Sequence, residues 1–263
     1  MQKHLIFLDI DGTIIHERTG EITQGTLDAI SKARKNGHEV LINTGRSRAE
    51  LSPKILDIPV DGIVCGCGTY MEYHGTVLFQ KSFGNKMSKQ IMEDVRRYRL
   101  DAVLEGTEHL YIEKDVSFPS KEGLRKCFGQ EVADRTLSFD EEEMDFDKFS
   151  MWITEKSDFS SFQEKYKDSL VFIRREDNFV EVVPKNYSKA SGMQFFMEQL
   201  NVPVECTMAI GDSANDLPML EFAGISVAMG NSSPDLFQKV KFVTKSIEED
   251  GIQYAMAHYG LLE

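Results

Sequence analysis

The stretch "LIFLDIDGTII", residues 5–15, sets a run of large apolar residues directly before two acids, Asp9 and Asp11, one residue apart. Residues 4–8, "HLIFL", read as a buried strand, since a short continuous apolar run fits a strand covered on both faces. Two carboxylates at the end of such a strand repel each other and lose hydration. The remainder of the chain has to supply strands that bury residues 4–8 and a group that offsets Asp9 and Asp11.

The companion strands follow in a regular rhythm. Residues 23–36 carry Leu27, Ile30 and Ala33 at helical spacing, with Thr23 as N-cap and Gly37 as stop. "EVLIN", 39–43, reads as a second strand, residues 46–56 as a helix that Pro53 shortens, and "GIVCG", 62–66, as a third strand. Strands that alternate with helices predict a doubly wound parallel sheet of the α/β class. The rhythm then changes to hairpin-like pairs: two strands joined at His74-Gly75, a helix over 86–99, a strand pair within 101–114, and more strands between 147 and 184 around a helix at 158–168. The acidic stretch "FDEEEMDFD", 139–147, reads as a solvated loop or helix start. The α/β rhythm resumes with a helix at 189–200, the strand "CTMAIG" at 206–211, a helix from Asn215, the strands "GISVAM" and "KFVT", and a final helix at 248–259. The expected organisation is an α/β core formed by residues 1–82 and 186–263, with an inserted α+β domain at 83–185.

Composition narrows the function classes. The 263 residues suffice for a sizeable core, and 41% apolar with 28% charged content is that of an ordinary globular chain rather than a disordered one. A net charge of −13 argues against nucleic acid and anionic membranes as partners, because both require a positive field. An anionic substrate would therefore need a local reversal of sign. The four cysteines, Cys65, Cys67, Cys127 and Cys206, match no zinc spacing and read as small apolar residues. No apolar run approaches the ~18 residues of a membrane span. With no signal-like segment, the expectation is a reducing cytoplasm.

In an open α/β sheet, ligands bind at the carboxyl ends of the strands. Four segments put polar residues there: "DIDGT" with Asp9 and Asp11; "NTGR", 43–46, with Thr44 and Gly45; Lys189 at the start of the returning helix; and "GDSAND", 211–216, with Asp212, Asn215 and Asp216. Asp9, Asp11, Asp212 and Asp216 on one site are tolerable if a hard divalent cation, Mg²⁺, neutralises them. A cation, a lysine, a hydroxyl and backbone N–H groups suit a phosphoryl group. Asp9 then reads as a nucleophile that forms an aspartyl phosphate, and Asp11 as general acid and then base. Taken singly, Asp-x-Asp-Gly is an ordinary surface turn and each remaining segment an ordinary loop, lysine or cap; it is their order and context that carries the reading.

With these four segments in this order, the chain resembles the haloacid dehalogenase superfamily, and more narrowly its Cof-like phosphatases with a large cap. The resemblance covers essentially the whole chain and implies a Rossmann-like core with an α/β cap inserted between the second and third motifs, which closes over the substrate. It implies magnesium held by the Asp9 side chain, the Asp11 backbone carbonyl and Asp212, with Asn215 and Asp216 supporting metal or phosphate. Thr44, Gly45 and Lys189 would hold the phosphoryl group. Two departures stand out. Asn186 and Ala190 occupy places where relatives carry glycine, which makes Lys185 a rival to Lys189. "CGCGT", 65–69, stands where relatives show "NGA", which turns Cys67 or Thr69 toward the substrate entrance.

The activity expected is Mg²⁺-dependent hydrolysis of a small phosphorylated metabolite, such as a sugar phosphate, nucleotide or cofactor phosphate. A phosphomutase would use the same intermediate. A signalling receiver domain shares an acid cluster, threonine and lysine, but is about half as long and lacks "GDSAND". A non-catalytic binding protein on the same fold is disfavoured by the intact set of reactive residues. Arg174 and Arg175 read as a solvated strand end, and oligomeric state is not legible.

Overall fold

The computed structural model describes residues 2–114, 124–125, 128–175 and 177–263. In chain order the strands are β1 (Leu5–Leu8), β2 (Glu39–Asn43), β3 (Gly62–Cys65), β4 (Tyr70–Tyr73), β5 (Thr76–Gln80), β6 (Asp101–Glu105), β7 (Leu110–Ile112), β8 (Thr136–Ser138), β9 (Lys148–Trp152), β10 (Leu170–Arg174), β11 (Phe179–Pro184), β12 (Thr207–Gly211), β13 (Ile225–Ala228) and β14 (Phe242–Val243). They form an eight-stranded sheet, ordered β14-β13-β12-β1-β2-β3-β4-β5, and a six-stranded sheet, ordered β10-β11-β9-β6-β7-β8. The chain divides into two compact units. One comprises Met1–Gly45, Ile58–Leu78 and Ser188–Glu263; the other comprises Arg46–Asp57 and Phe79–Tyr187.

In the first unit β1 lies at the centre, parallel to β2 on one side and β12 on the other. All four of its residues are buried, as a strand covered on both faces must be. The chain winds from β1 through β2 to β3, then reappears at β12 on the opposite side of β1 and continues to β13 and β14. This reversal makes the carboxyl ends of β1 and β12 a topological switch point, the place where an open α/β sheet leaves a crevice. The helix Gln24–Lys35 starts at Thr23, whose side chain accepts from the Thr26 N–H. The helix Lys189–Leu200 starts at Ser188 and ends at Asn201, a left-handed residue with φ +51°. The doubly wound α/β core is thus present, with β4 and β5 as an antiparallel extension at one edge.

In the second unit alternation along the strands gives the sheet two different faces. Leu104, Phe149, Met151, Val180 and Val182 point into an apolar cluster with Ile91 and Val95 of the helix Gly84–Arg97 and Phe162 of the helix Phe159–Tyr166. The other face bears a buried ionic group, in which the Lys148 Nζ is 2.5 Å from Glu105 Oε2 and 3.0 Å from Glu181 Oε1, and Ser150 donates to Glu105 Oε1 at 2.5 Å. Arg175 pairs with Glu181 and belongs to this group, whereas Arg174 is exposed at the strand end. The acidic stretch 139–147 takes no regular structure: Glu141, Glu142 and Glu143 are exposed while Phe139, Met144 and Phe146 sit in the apolar cluster.

Three expectations change. Residues 46–56 form no continuous helix, only short turns at Arg48–Glu50 and Pro53–Leu56, because Ser47 and Ser52 each restart the chain from extended geometry. Segment 46–57 groups with the second unit rather than the first. Ala49 packs with Val103, Leu110 and Val132, its N–H donates to Gly106 C=O at 3.3 Å, and Arg135 donates to Leu51 C=O at 3.0 Å. The helix Gln130–Asp134 and β8 add to the expected elements, being too short to show a period in the sequence. Cys65, Cys67 and Cys206 are buried thiols outside any disulfide; Cys127 lies outside the described residues. No helix among the described residues is long and apolar enough to cross a membrane.

Asp147 is buried with Thr107 donating to one carboxylate oxygen at 3.2 Å and no partner for the other among the described residues. Burial pushes its carboxyl up to about 7, against the opposing Thr107 hydrogen bond. The unfolded chain therefore releases this proton at lower pH than the folded chain, and stability is lost as pH rises from about 4 to about 7. Replacing Asp147 by Asn removes that loss, so the variant should gain on the wild type between pH 5 and pH 8, measured by urea unfolding at both values.

Candidate active site

The acids that follow β1 are held by a tight turn. Asp9 N–H donates to Ile210 C=O at 3.1 Å, which carries the β1–β12 pairing one residue past the strand. The Ile10 carbonyl then accepts from the N–H groups of Thr13, Ile14 and Ile15 at 3.3, 2.9 and 2.8 Å. Gly12 makes the turn possible twice over. Its φ is +75°, and a Cβ there would stand 2.2 Å from Asp212 Oδ2. Thr13 Oγ1 reaches Asp212 Oδ1 at 3.4 Å, and Asn231 Nδ2 donates to Gly12 C=O at 2.8 Å.

The loop after β12 is organised by Asp216. One oxygen accepts from the Asp212 and Ser213 N–H groups at 2.9 and 3.0 Å; the other accepts from Lys189 Nζ at 2.5 Å. Lys189 also reaches Asp9 Oδ1 at 2.5 Å. Its ammonium is thus clamped between carboxylates from two different strand ends, and the side chain is 1% exposed. Asn43, at the end of β2, donates to the Lys189 C=O at 2.9 Å and ties the helix start to the sheet.

Asp9, Asp212 and Asp216 bring one carboxylate oxygen each within 4.8 Å of the others. Three carboxylates face one ammonium. Burial pushes Asp9 up to about 7, with Asp216 reinforcing and Lys189 opposing. Burial likewise pushes Asp212 up to about 8, with Asp9 and Asp216 adding to it. Burial alone would lower Lys189, but Asp216 and Asp9 outweigh it and hold the ammonium well above its ordinary range. Asp216 has both oxygens engaged, so it serves as the frame. Asp9 and Asp212 are the hard oxygen donors available, on opposite sides of the switch point, and the space left by Gly12 is where Asp212 reaches in. A hard cation fits this donor set, because it would restore the charge that Lys189 leaves uncompensated.

The sequence-derived residues converge unevenly. Asp9, Lys189, Asp212 and Asp216 meet directly. Asp11 is partly exposed, and its side chain is outside the three-acid group. The register Leu8↔Ile42 sets Thr44 at the same sheet end as Asp9, where it is buried beside the partly exposed Gly45. Asn215 accepts from the Ser213 hydroxyl. Lys185 is exposed, so the helix-borne Lys189 is the lysine that meets the acids. Thr13, Asn43 and Asn231 were not singled out. Asn231 has a signal in retrospect, a Gly-Asn pair directly after a strand; Asn43 and Thr13 have none beyond standing beside motif residues.

A doubly wound core whose switch point holds clustered carboxylates around a buried lysine is an arrangement suited to phosphoryl transfer. Residues 6–256 match the haloacid dehalogenase-like hydrolases, and the chain belongs to that family. It is 28% identical over 276 residues to YkrA of Bacillus subtilis (strain 168), provisionally named a phosphatase, with 100% of both chains covered. It is 27% identical over 270 residues to YitU of the same organism, named a 5-amino-6-(5-phospho-D-ribitylamino)uracil phosphatase, with 98% of each covered. Among solved structures, the subclass IIB sugar phosphatase BT4131 superposes with a TM-score of 0.79 at 26% identity, covering 98% of this chain and 99% of that one. The chain is a phosphatase of the Cof-like group.

Lys189→Met leaves Asp9 and Asp216 buried without their shared counter-charge. The expected cost is about 3 kcal/mol of folding stability, as for other broken buried ion pairs, measured by denaturant unfolding in the presence of EDTA.

Proposed function

We propose that the protein is a magnesium-dependent phosphomonoesterase that works through a phosphorylated Asp9. The observation that carries this is the seating of Asp9 against Lys189 inside a desolvated three-acid cluster at the switch point. The Asp9 oxygen not engaged by Lys189 attacks the phosphorus, the ester P–O bond breaks, and Asp11 gives its proton to the departing oxygen. Asp11 then takes a proton from water as the water oxygen attacks the phosphoryl-aspartate. Inorganic phosphate leaves, and both side chains return to their starting states.

Lys189, Thr44 and Gly45 hold the non-reacting phosphoryl oxygens, with Asn215 alongside. Asp216 keeps the Lys189 ammonium in place and aligns the 212–213 backbone. Asp9 and Asp212, with the Asp11 carbonyl, would bind Mg²⁺, which would supply charge neutralisation as negative charge builds on the phosphoryl group. The substrate proposed is a small phosphorylated metabolite. One relative is named for a phosphoribityl-uracil ester and a structural neighbour for sugar phosphates, which supports a polyol or sugar phosphate over a nucleotide. The inserted α+β unit is proposed as the cap that selects among such esters. The protein is proposed to act in the cytoplasm, where Cys65, Cys67 and Cys206 would stay reduced.

Asp9→Asn should abolish turnover of an aryl phosphate while circular dichroism stays unchanged; near-normal turnover would rule out covalent catalysis at Asp9. EDTA should stop hydrolysis and MgCl₂ restore it, and a rate indifferent to chelation would remove the metal from the scheme.

A further inference from the structure

The stretch "CGCGT", residues 65–69, joins β3 to β4 and takes no part in the chemistry proposed above. Gly66 and Cys67 both lie in the left-handed region, with φ +58° and +54°, and the Gly68 N–H closes the turn onto Cys65 C=O at 3.0 Å. Positive φ at both central residues is the mark of a primed turn. Gly68 follows with φ +91°. A non-glycine residue such as Cys67 in this region is strained and persists only where its surroundings enforce it.

The enforcement comes from both sides. Cys67 N–H donates to Thr44 C=O at 3.1 Å, and Thr44 N–H donates to Val64 C=O at 2.9 Å. Both backbone groups of Thr44 are therefore bonded to β3 and its turn. Within the turn, Thr69 Oγ1 donates to Gly66 C=O at 3.1 Å. On the opposite side Gly68 lies against the first turn of the helix Lys189–Leu200. A Cβ at 68 would stand 2.5 Å from Ser188 C=O and 2.7 Å from Ser191 Oγ. Ser188 and Ser191 form the capping box that starts this helix, so they set where Lys189 begins. One turn on, a Cβ at Gly192 would stand 2.5 Å from Val64 Cγ1, so the helix also rests directly on β3.

We propose that turn 65–69 is a rigid spacer between Thr44 and Lys189, and that Gly68 is the positioning residue that sets its thickness. The proposal rests on the phosphatase reading above, which assigns those two groups to the phosphoryl oxygens. Small displacements at such groups are costly, since a misplacement of about 1 Å can lower a rate on the order of 100-fold. A side chain at 68 would push the turn and the helix cap apart and shift Thr44 relative to Lys189.

The test compares Gly68→Ala with Gly75→Ala on p-nitrophenyl phosphate with MgCl₂. Gly75 has φ +75° and nothing within 4 Å of a Cβ, so its variant carries similar backbone strain without a collision. Gly68→Ala should lower kcat at least about 10-fold with KM changed by less than about 3-fold, and should weaken inhibition by orthovanadate. Gly75→Ala should keep kcat within about 2-fold while losing a comparable amount of thermal stability. A folded Gly68→Ala enzyme with the kcat of Gly75→Ala overturns the proposal. If Gly68→Ala does not fold, Thr69→Val decides, because it keeps the side-chain shape and removes only the bond to Gly66. A several-fold loss of kcat supports the spacer, and wild-type kcat overturns it. A wild-type protein that releases no phosphate sinks the phosphatase reading and the spacer with it; turnover indifferent to these variants sinks the spacer alone.

Discussion

A single buried ammonium holds the candidate site together. Lys189 joins Asp9, at the end of β1, to Asp216, in the loop after β12, and both acids are buried. Ion pairs this deep gain little net stability over a well-packed apolar alternative. The arrangement still leaves a surplus of negative charge, which is why burial and mutual repulsion raise Asp9 and Asp212. That surplus costs stability unless a cation offsets it.

The sheet order makes this clamp possible. Strands whose paired residues are 202 positions apart in the chain, such as Leu5 and Thr207, become neighbours because the winding reverses direction beside β1. The turn bonds around Ile10 and the frame bonds around Asp216 then fix backbone direction on each side of the reversal. The candidate site residues therefore stand on rigid elements, positioned by ladder and turn hydrogen bonds together with the bonds that Asp216 accepts.

What was legible in the sequence follows the physics of each element. β1, β2, β3 and β12 are continuous apolar runs next to polar punctuation, so both the strands and the residues at their ends could be read directly. Lys189 could be placed at a helix start because the α/β rhythm resumes there, but its buried contact with two acids depends on tertiary structure. The path of 46–57 was not legible. Its only apolar cues are Ala49, Leu51, Ile55 and Leu56, and what decides its place is packing against Val103 and Leu110, more than fifty residues later. Asn43 and Asn231 act through single amide bonds to backbone carbonyls, and such bonds leave no periodic trace. The departure at 65–69 was visible as letters, while its left-handed geometry was not.

The distance along the chain between the members of the clamp has a consequence for synthesis. Asp9 and Lys189 are 180 positions apart. Every residue of the second unit, 46–57 and 79–187, precedes Ser188. On a ribosome, where domains form as units while the chain grows, the inserted unit can complete its own sheet first. The core must wait with β1 lacking its β12 neighbour and Asp9 lacking its cation. A chain that has emerged from the ribosome only as far as residue 188 would thus hold a finished insert on an unfinished core, with Asp9 still hydrated.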